Sequence, residues 1–278
     1  MILMNILVTL NENYLPVLKV MLRSLFENFD EKITIYIMYS DISEQGIAQL
    51  SKFVEYFGHT LHPLYIGEET FADAPVHSYY SKEMYYRLIA HTILPDSVER
   101  ILYLDPDLLV INPIRPLYET PLEECFFAAA SHENIVSGYI NKIRLNLDID
   151  RYYNSGVLLM DVGRMRKEMD LPALYEYVEK NASKLILPDQ DVLNGMYGDK
   201  IKPLDECLYN YDARQYQLYL LNTKGRANLD YVINNTVILH FCGKQKPWHK
   251  NYFYRFGILY KHYKKLTERD ELAMGEGG

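Results

Sequence analysis

Short apolar runs rich in β-branched residues alternate along this chain with longer stretches whose apolar residues recur every three or four positions. That alternation restricts the fold more than any other feature. Ile6 to Leu10 is the first such run, and Tyr14 to Phe29 follows with Leu15, Leu18, Leu22, Leu25 and Phe26 on one helical face. Ile33 to Tyr39 predicts a second strand, Ser43 to Phe57 a serine-capped helix, and Thr60 to Ile66 a third strand. Ser81 to Ile93 reads as a helix, while Ile101-Leu102-Tyr103-Leu104 and Gly156 to Met160 read as buried strands. Strands alternating with helices predict a largely parallel α/β sheet covered on both faces. No internal repeat or Pro/Ser-rich linker interrupts the pattern, so one domain is expected, with an N-terminal nucleotide-type half.

Composition narrows the function classes. The chain has 278 residues with 29 Lys+Arg against 37 Asp+Glu, a net charge of −8, which excludes a broadly basic nucleic-acid-binding surface. With 49% apolar residues the chain is far from a disordered composition. Its 26 tyrosines against one tryptophan form an amphipathic aromatic inventory suited to sugars and nucleotides. Cys125, Cys207 and Cys242 are odd in number and form no CxxC pair, which fits a reducing compartment better than a disulfide framework. The segment Met1 to Val8 reads as a first strand rather than a signal peptide. No apolar run reaches the roughly 20 residues that span a bilayer, so a cytoplasmic location is expected.

Glycine-based phosphate grips are missing: no GxGxxG follows the first strand, and Gly243-Lys244 is not part of a P-loop. A bound diphosphate would therefore need a metal ion to balance its charge. Ligands for one stand at the end of the most apolar strand, in Leu104-Asp105-Pro106-Asp107-Leu108. In extended chain, residues two apart share a side, so Asp105 and Asp107 would converge. Paired carboxylates beside a buried strand are costly without a cation. The same Asp-Pro-Asp is also good turn chemistry. A second cluster follows the apolar run Val237 to Leu239: His240, Gly243, Lys244, Lys246 and Trp248. A lone histidine after a strand is more often a core residue. A glycine and cations beside it shift the reading toward one nitrogen and two carboxylates on Mn²⁺, with Mg²⁺ as the alternative.

These residues resemble family 8 retaining glycosyltransferases, the group that includes bacterial lipopolysaccharide galactosyl- and glucosyltransferases and glycogenin. The ordered motifs are Asn13-Tyr14, Tyr103-Leu104-Asp105-Pro106-Asp107, Tyr153-Asn154-Ser155-Gly156-Val157-Leu158-Leu159, Asp189-Gln190-Asp191 with Leu193-Asn194, and Leu239-His240-Phe241-Cys242-Gly243 with Lys246-Pro247-Trp248. The resemblance implies a GT-A glycosyltransferase fold with a Rossmann-like nucleotide-binding sheet and helices on both faces. It also implies a UDP-sugar donor and a saccharide or glycolipid acceptor, with glucose or galactose moved in bacterial cell-envelope glycan synthesis. Asp105, Asp107 and His240 would hold the metal. Tyr14 would stack on the uracil, with Thr9, Asn11 and Asn13 around the base and ribose. Lys246 and the Gly243 amide would meet the phosphates, Arg87 would lie near sugar and diphosphate, and Asn154 and Asp189 would hold sugar hydroxyls. Asn11 stands where relatives usually carry Asp, and an amide can both donate and accept toward uracil. Pro106 lacks the amide hydrogen that could otherwise reach the ribose.

Retention implies attack by the acceptor from the leaving-group face with Gln190 beneath the anomeric carbon. The alternative is a covalent double displacement on Asp189. The layout implied is a catalytic domain over 1–267. Residues 1–112 would be the nucleotide half, 113–250 the sugar and acceptor half, 251–267 a basic C-terminal helix and 268–278 a loose tail. The stretch Ser131 to Asp150 would form an acceptor-side lid. Two other classes fit part of the pattern. A metal-dependent nucleotidyltransferase should carry a glycine-rich basic loop where Asn11-Glu12-Asn13-Tyr14 stands, and a non-catalytic carbohydrate-binding protein leaves the metal triad unexplained. Finally, Lys244 to Thr267 holds seven Lys/Arg and no acidic residue, with Phe253, Phe256, Tyr260 and Tyr263 at helical spacing. The expected reading is a helix packed on the domain. The functional alternative is peripheral contact of residues 244–267 with the inner face of a membrane.

Overall fold

A computed structural model describes residues 3–67, 83–131, 141, 143–145 and 151–276. Its main sheet has seven strands: β1 (Met4–Thr9), β2 (Ile33–Tyr39), β3 (Thr60–Tyr65), β4 (Arg100–Leu104), β6 (Phe127–Ala130), β7 (Val157–Asp161) and β8 (Ile201–Leu204), in the order β3-β2-β1-β4-β7-β6-β8. Strands β5 (Leu108–Val110), β9 (Tyr211–Asp212) and β10 (Ile238–His240) form a second sheet ordered β5-β10-β9. The first four strands of the order pair in parallel, as the βαβ alternation predicts. Along β1 the side chains alternate between two cores. Ile6 and Val8 join the helices α1 (Leu15–Glu27) and α2 (Glu44–Tyr56) on one face. Leu7 joins α3 (Glu83–Ile93) on the other. A strand buried on both sides has no polar face to show, which is why these runs read as continuous apolar segments.

Two features depart from the sequence expectation. Strand β7 is antiparallel to both β4 and β6, because composition marks burial but carries no strand direction. The pairing Leu104↔Val157 brings the start of β7, and with it Asn154 to Gly156, to the carboxyl end of β4. The second departure is at the C-terminus. One helix, Gly257–Glu276, replaces the expected basic helix 251–267 and loose tail: it starts only at Gly257 and takes in most of 268–278. Lys19–Glu271 (2.6 Å) and Arg23–Asp270 (2.7 Å) dock it on α1, so residues 268–276 are ordered by charge pairing with the domain. The middle of the aromatic stripe faces inward: Phe256 and Tyr260 are buried against Tyr211, Phe241 and Trp248, while Phe253 is exposed. Phe256 and Tyr260 therefore belong to the core and are unavailable to lipid. Most of the expected lid, 131–150, lies outside the described residues. No helix among the described residues is long and apolar enough to cross a membrane.

Two histidines, His91 buried and His59 half-buried, give the fold a pH signature. Burial, helped by Lys32, lowers His59 to about 4, and its Nδ1 accepts the Ile33 amide at 3.3 Å. Burial likewise lowers His91 to about 4 against a backbone hydrogen bond that opposes the shift, with Arg166 adding to the depression. Both rings are neutral in the fold and protonate near their ordinary value once unfolded. They therefore stabilise the fold above about pH 6.5 and lose that contribution as pH falls toward 4, with a slope limit near 1.4 kcal/mol per pH unit for buried His91 and a smaller one for His59, which solvent screens. Urea unfolding at pH 7, 6, 5 and 4.5 is expected to show falling stability over that interval, with the fall reduced in His91→Gln. A flat profile would rule the assignment out.

Candidate metal and sugar site

The two aspartates lie in the turn by which the chain leaves the main sheet at Leu104 and enters the second sheet at Leu108. They converge through a turn, and the extended geometry expected from the sequence is not what brings them together. The third ligand candidate arrives by strand pairing: β10 runs antiparallel to β5 with His240 opposite Leu108, and Phe241 N–H donates to Asp107 O at 3.0 Å. His240 Nε2 then lies 3.3 Å from Asp107 Oδ1 and 3.8 Å from Asp105 Oδ2. One ligand atom from each of Asp105, Asp107 and His240 falls within 4.8 Å of the others.

The electrostatics suit a cation. Burial alone would raise Asp107, but His240 and Lys246 outweigh it and hold its carboxyl well below the usual range. Burial opposes charge on His240, while Cys242 and Asp107 draw the ring toward the protonated form. The Lys246 ammonium pairs with Asp107 and also donates to Phe241 O at 2.9 Å. Protein cations thus balance a carboxylate pair. Two hard oxygens and one imidazole nitrogen, aimed at one point, are a donor set that fits Mn²⁺ or Mg²⁺.

Asp105 is held from below. Tyr103 OH donates to its Oδ1 at 2.6 Å, and the Thr9 hydroxyl is 3.2 Å from Tyr103 OH. Since that phenol proton goes to Asp105, Thr9 must be the donor. Thr9, expected beside the base, is buried as a support for Asp105. Arg87 stacks 4.3 Å over the Tyr103 ring and sends Nη1 to Ser155 O (2.9 Å), Asp105 Oδ1 (3.1 Å) and Asp189 Oδ2 (3.2 Å). Burial opposes its charge, but Asp105, Tyr103 and Asp189 more than compensate and raise it further. Arg87 is therefore the buried cation that joins the DxD turn to the Asp189 helix.

That helix, Pro188–Tyr197, begins with Asp189, Gln190 and Asp191 in its first turn. Ser155 Oγ donates to Asp189 Oδ2 at 2.8 Å. Gln190 Oε1 accepts from Asn154 Nδ2 (3.1 Å) and Ser155 N (3.4 Å). Asn194, one turn on, clamps Tyr153 through both its backbone groups (2.6 and 2.8 Å), which fixes the Asn154 loop to the helix. Gly156 completes the loop. A Cβ there would lie 2.4 Å from His240 Cε1 and 2.6 Å from Asp105 Oδ2, so only glycine admits both ligands this close to the backbone.

Asn11, Asn13 and Tyr14 follow β1 at the same edge. Asn11 caps the short helix Glu12–Tyr14 by accepting from Asn13 N at 3.2 Å, and Asn13 is exposed. Glu12 accepts from Ser43 N at 2.7 Å and so ties this loop to the cap of α2. Tyr14 meets Trp248 edge to face at 6.1 Å, and Lys246 lies 5.9 Å from that indole, so the expected base and phosphate residues stand together. Gly243 adopts φ +81°, and a Cβ there would meet Arg214 Nη1 at 2.1 Å. A cavity of about 810 Å³ opens beside the cluster, lined by Asn154, Gln190, Asp212, Arg214, Cys242 and Gly243 among others.

Sequence reading missed Tyr103, Asn210 and Arg214. Tyr103 stands in the Asp-Pro-Asp motif but carries no role of its own there. Asn210 has no motif, yet it is fully buried, with its amide 2.8 Å from His240 Nδ1 and 2.9 Å from Asn154.

The family model of glycosyl transferase family 8 matches residues 5–252. The chain is similar to General stress protein A of Bacillus subtilis (strain 168), 27% identical over 95% of this chain and 94% of that one. It is also similar to a Lipopolysaccharide 1,2-glucosyltransferase of Escherichia coli, 23% identical over 86% of this chain and 71% of the other. The crystal structure of the galactosyltransferase LgtC in complex with donor and acceptor sugar analogs matches with a TM-score of 0.79 at 22% identity, covering 95% of this chain and 96% of that one. The shared fold is the GT-A fold.

Proposed function

Because this chain belongs to glycosyl transferase family 8, we propose that it is a metal-dependent, anomer-retaining hexosyltransferase that moves glucose or galactose from a UDP-sugar to a saccharide or glycolipid. The observation that carries this reading is the convergence of Asp105, Asp107 and His240 beside Lys246, at the edge of a cavity lined by Asn154 and Gln190. Asp105, Asp107 and His240 would hold Mn²⁺ or Mg²⁺, whose charge, when bound, neutralises the donor's diphosphate. Tyr14 offers a flat face for the uracil. Lys246, which pairs with Asp107 at the same point, would meet the departing phosphate, where negative charge develops.

Asn154, on the cavity wall, would orient the sugar hydroxyls, with Asp189 acting behind it through Ser155. Asp189 has one oxygen held by both Ser155 and Arg87 and does not line the cavity, whereas Gln190 does. That difference favours Gln190 as the group facing the anomeric carbon and disfavours covalent attack by Asp189. The acceptor would enter through the cavity beyond Gln190, past Cys242 and Gly243. The Escherichia coli relative's name supports an envelope glycolipid as acceptor. Any contact with the inner face of a membrane would run through the outward residues Phe253, Ile258, Lys261 and Lys265, since Phe256 and Tyr260 are buried.

Calorimetric titration with UDP tests the reading. Binding is expected to strengthen markedly when Mn²⁺ is added, and a panel of UDP-sugars should show Mn²⁺-dependent hydrolysis of UDP-glucose or UDP-galactose. UDP binding indifferent to the metal would refute the metal assignment, and no UDP binding at all would refute the donor.

A further inference from the structure

We propose that Asn154 and Asn210 form an amide relay that fixes the tautomer and orientation of His240, so that the sugar loop and the metal ligand are set by one backbone N–H. The inference rests on the metal reading above. Gly156 N–H can only donate, so the Asn154 atom 2.9 Å away is its carbonyl oxygen Oδ1. The same Oδ1 lies 2.9 Å from the Asn210 side chain, which must therefore present its Nδ2. Asn210 Oδ1 is then the atom 2.8 Å from His240 Nδ1. An oxygen without a hydrogen requires the proton on Nδ1, and in the neutral ring this leaves the lone pair on Nε2. That is the nitrogen facing Asp107 and Asp105.

Asn210 is fully buried, which leaves no solvent path for water to take over its bond to the ring. It touches neither aspartate in the hydrogen bonds made here, so it is a positioning residue. Partners of this kind orient metal-binding histidines, and losing one lowers metal affinity by about 10- to 100-fold. The relay continues in the other direction, because Asn154 Nδ2 donates to Gln190 Oε1 at 3.1 Å. Rearrangement of Asn154 around a sugar would thus be felt at the metal ligand.

The test is Mn²⁺ binding by the full chain, followed by paramagnetic resonance of the free ion. UDP is present because it lacks the donor hexose that Asn154 would touch. Asn210→Leu and Asn154→Leu should each weaken Mn²⁺ binding by about 10- to 100-fold. Asn154→Asp still accepts from Gly156 and Asn210 and should bind Mn²⁺ within a few-fold of the unaltered chain. Nitrogen NMR of His240 in the metal-free protein gives a readout independent of affinity: at a pH where the ring is neutral, its one proton should sit on Nδ1 in the unaltered chain and in Asn154→Asp, and a proton on Nε2 in the unaltered chain would overturn the relay. If Asn210→Leu does not fold, the two Asn154 variants decide. Unchanged Mn²⁺ affinity in Asn154→Leu would overturn the relay, as would an Asn154→Asp no better than Asn154→Leu. An unaltered chain that binds no Mn²⁺ would overturn the metal reading itself, and the relay with it.

Discussion

Asp107→Asn is expected to lower hexosyl transfer from the UDP-sugar by about a thousandfold while leaving the circular dichroism spectrum unchanged. A thousandfold is about 4 kcal/mol of barrier, a size in keeping with removing a ligand from the charge-stabilising centre of a transfer reaction. Asp107 is the most constrained of the three ligand candidates, buried between His240 and Lys246 and tied to β10 through its own carbonyl. Asparagine keeps its shape and removes its charge. Lys246 then loses its resting partner, so the variant should still bind UDP weakly but without a Mn²⁺ effect. The loss should fall on kcat as well as on KM, because the charge being balanced grows as the leaving group departs. Retained turnover would show that the ion, if it is needed, sits elsewhere.

The largest effect on stability is expected at Asp191, two residues after Asp189. Its carboxylate is completely buried and accepts from Arg144 (2.7 and 3.0 Å), the Tyr152 hydroxyl, Ile186 N (2.7 Å) and Leu187 N (3.0 Å). Asp191→Ala strands a guanidinium and two backbone donors at the start of the helix Pro188–Tyr197. Breaking a buried pair of this kind costs about 3–5 kcal/mol, much of the 5–15 kcal/mol that holds an ordinary domain together. Urea unfolding should show that loss. Activity should fall with it, since Asp189 and Gln190 occupy the same helical turn. A change under about 1 kcal/mol would mean that Arg144 and the amides find other partners.

Asp189-Gln190-Asp191 illustrates what a motif can and cannot say. Three adjacent polar residues before an apolar run announce a site, but the order of their duties is set by helical geometry. Asp191 turns inward to close the helix start on Arg144, Asp189 meets Arg87 and Ser155, and Gln190 reaches the cavity wall. The same holds for Thr9, which the motif associates with the nucleotide base. Its hydroxyl proves to support Asp105 through Tyr103, because β1 and β4 are neighbours in the main sheet.

By itself, the sequence determined the parallel β1-β2-β3-β4 half, the buried character of β1, β2, β4 and β7, the family, and the identity of Asp105, Asp107 and His240 as candidate ligands. Those follow from local signals: apolar period, turn chemistry and short motifs. Only the tertiary structure decided that β7 runs antiparallel, that a second sheet carries His240 to Asp107, and that Phe256 and Tyr260 turn into the core while Phe253 does not. Asn210 is the clearest case. It gains its place from Asn154 and His240, 56 and 30 residues away, and no local pattern in a chain encodes a contact that strand pairing creates.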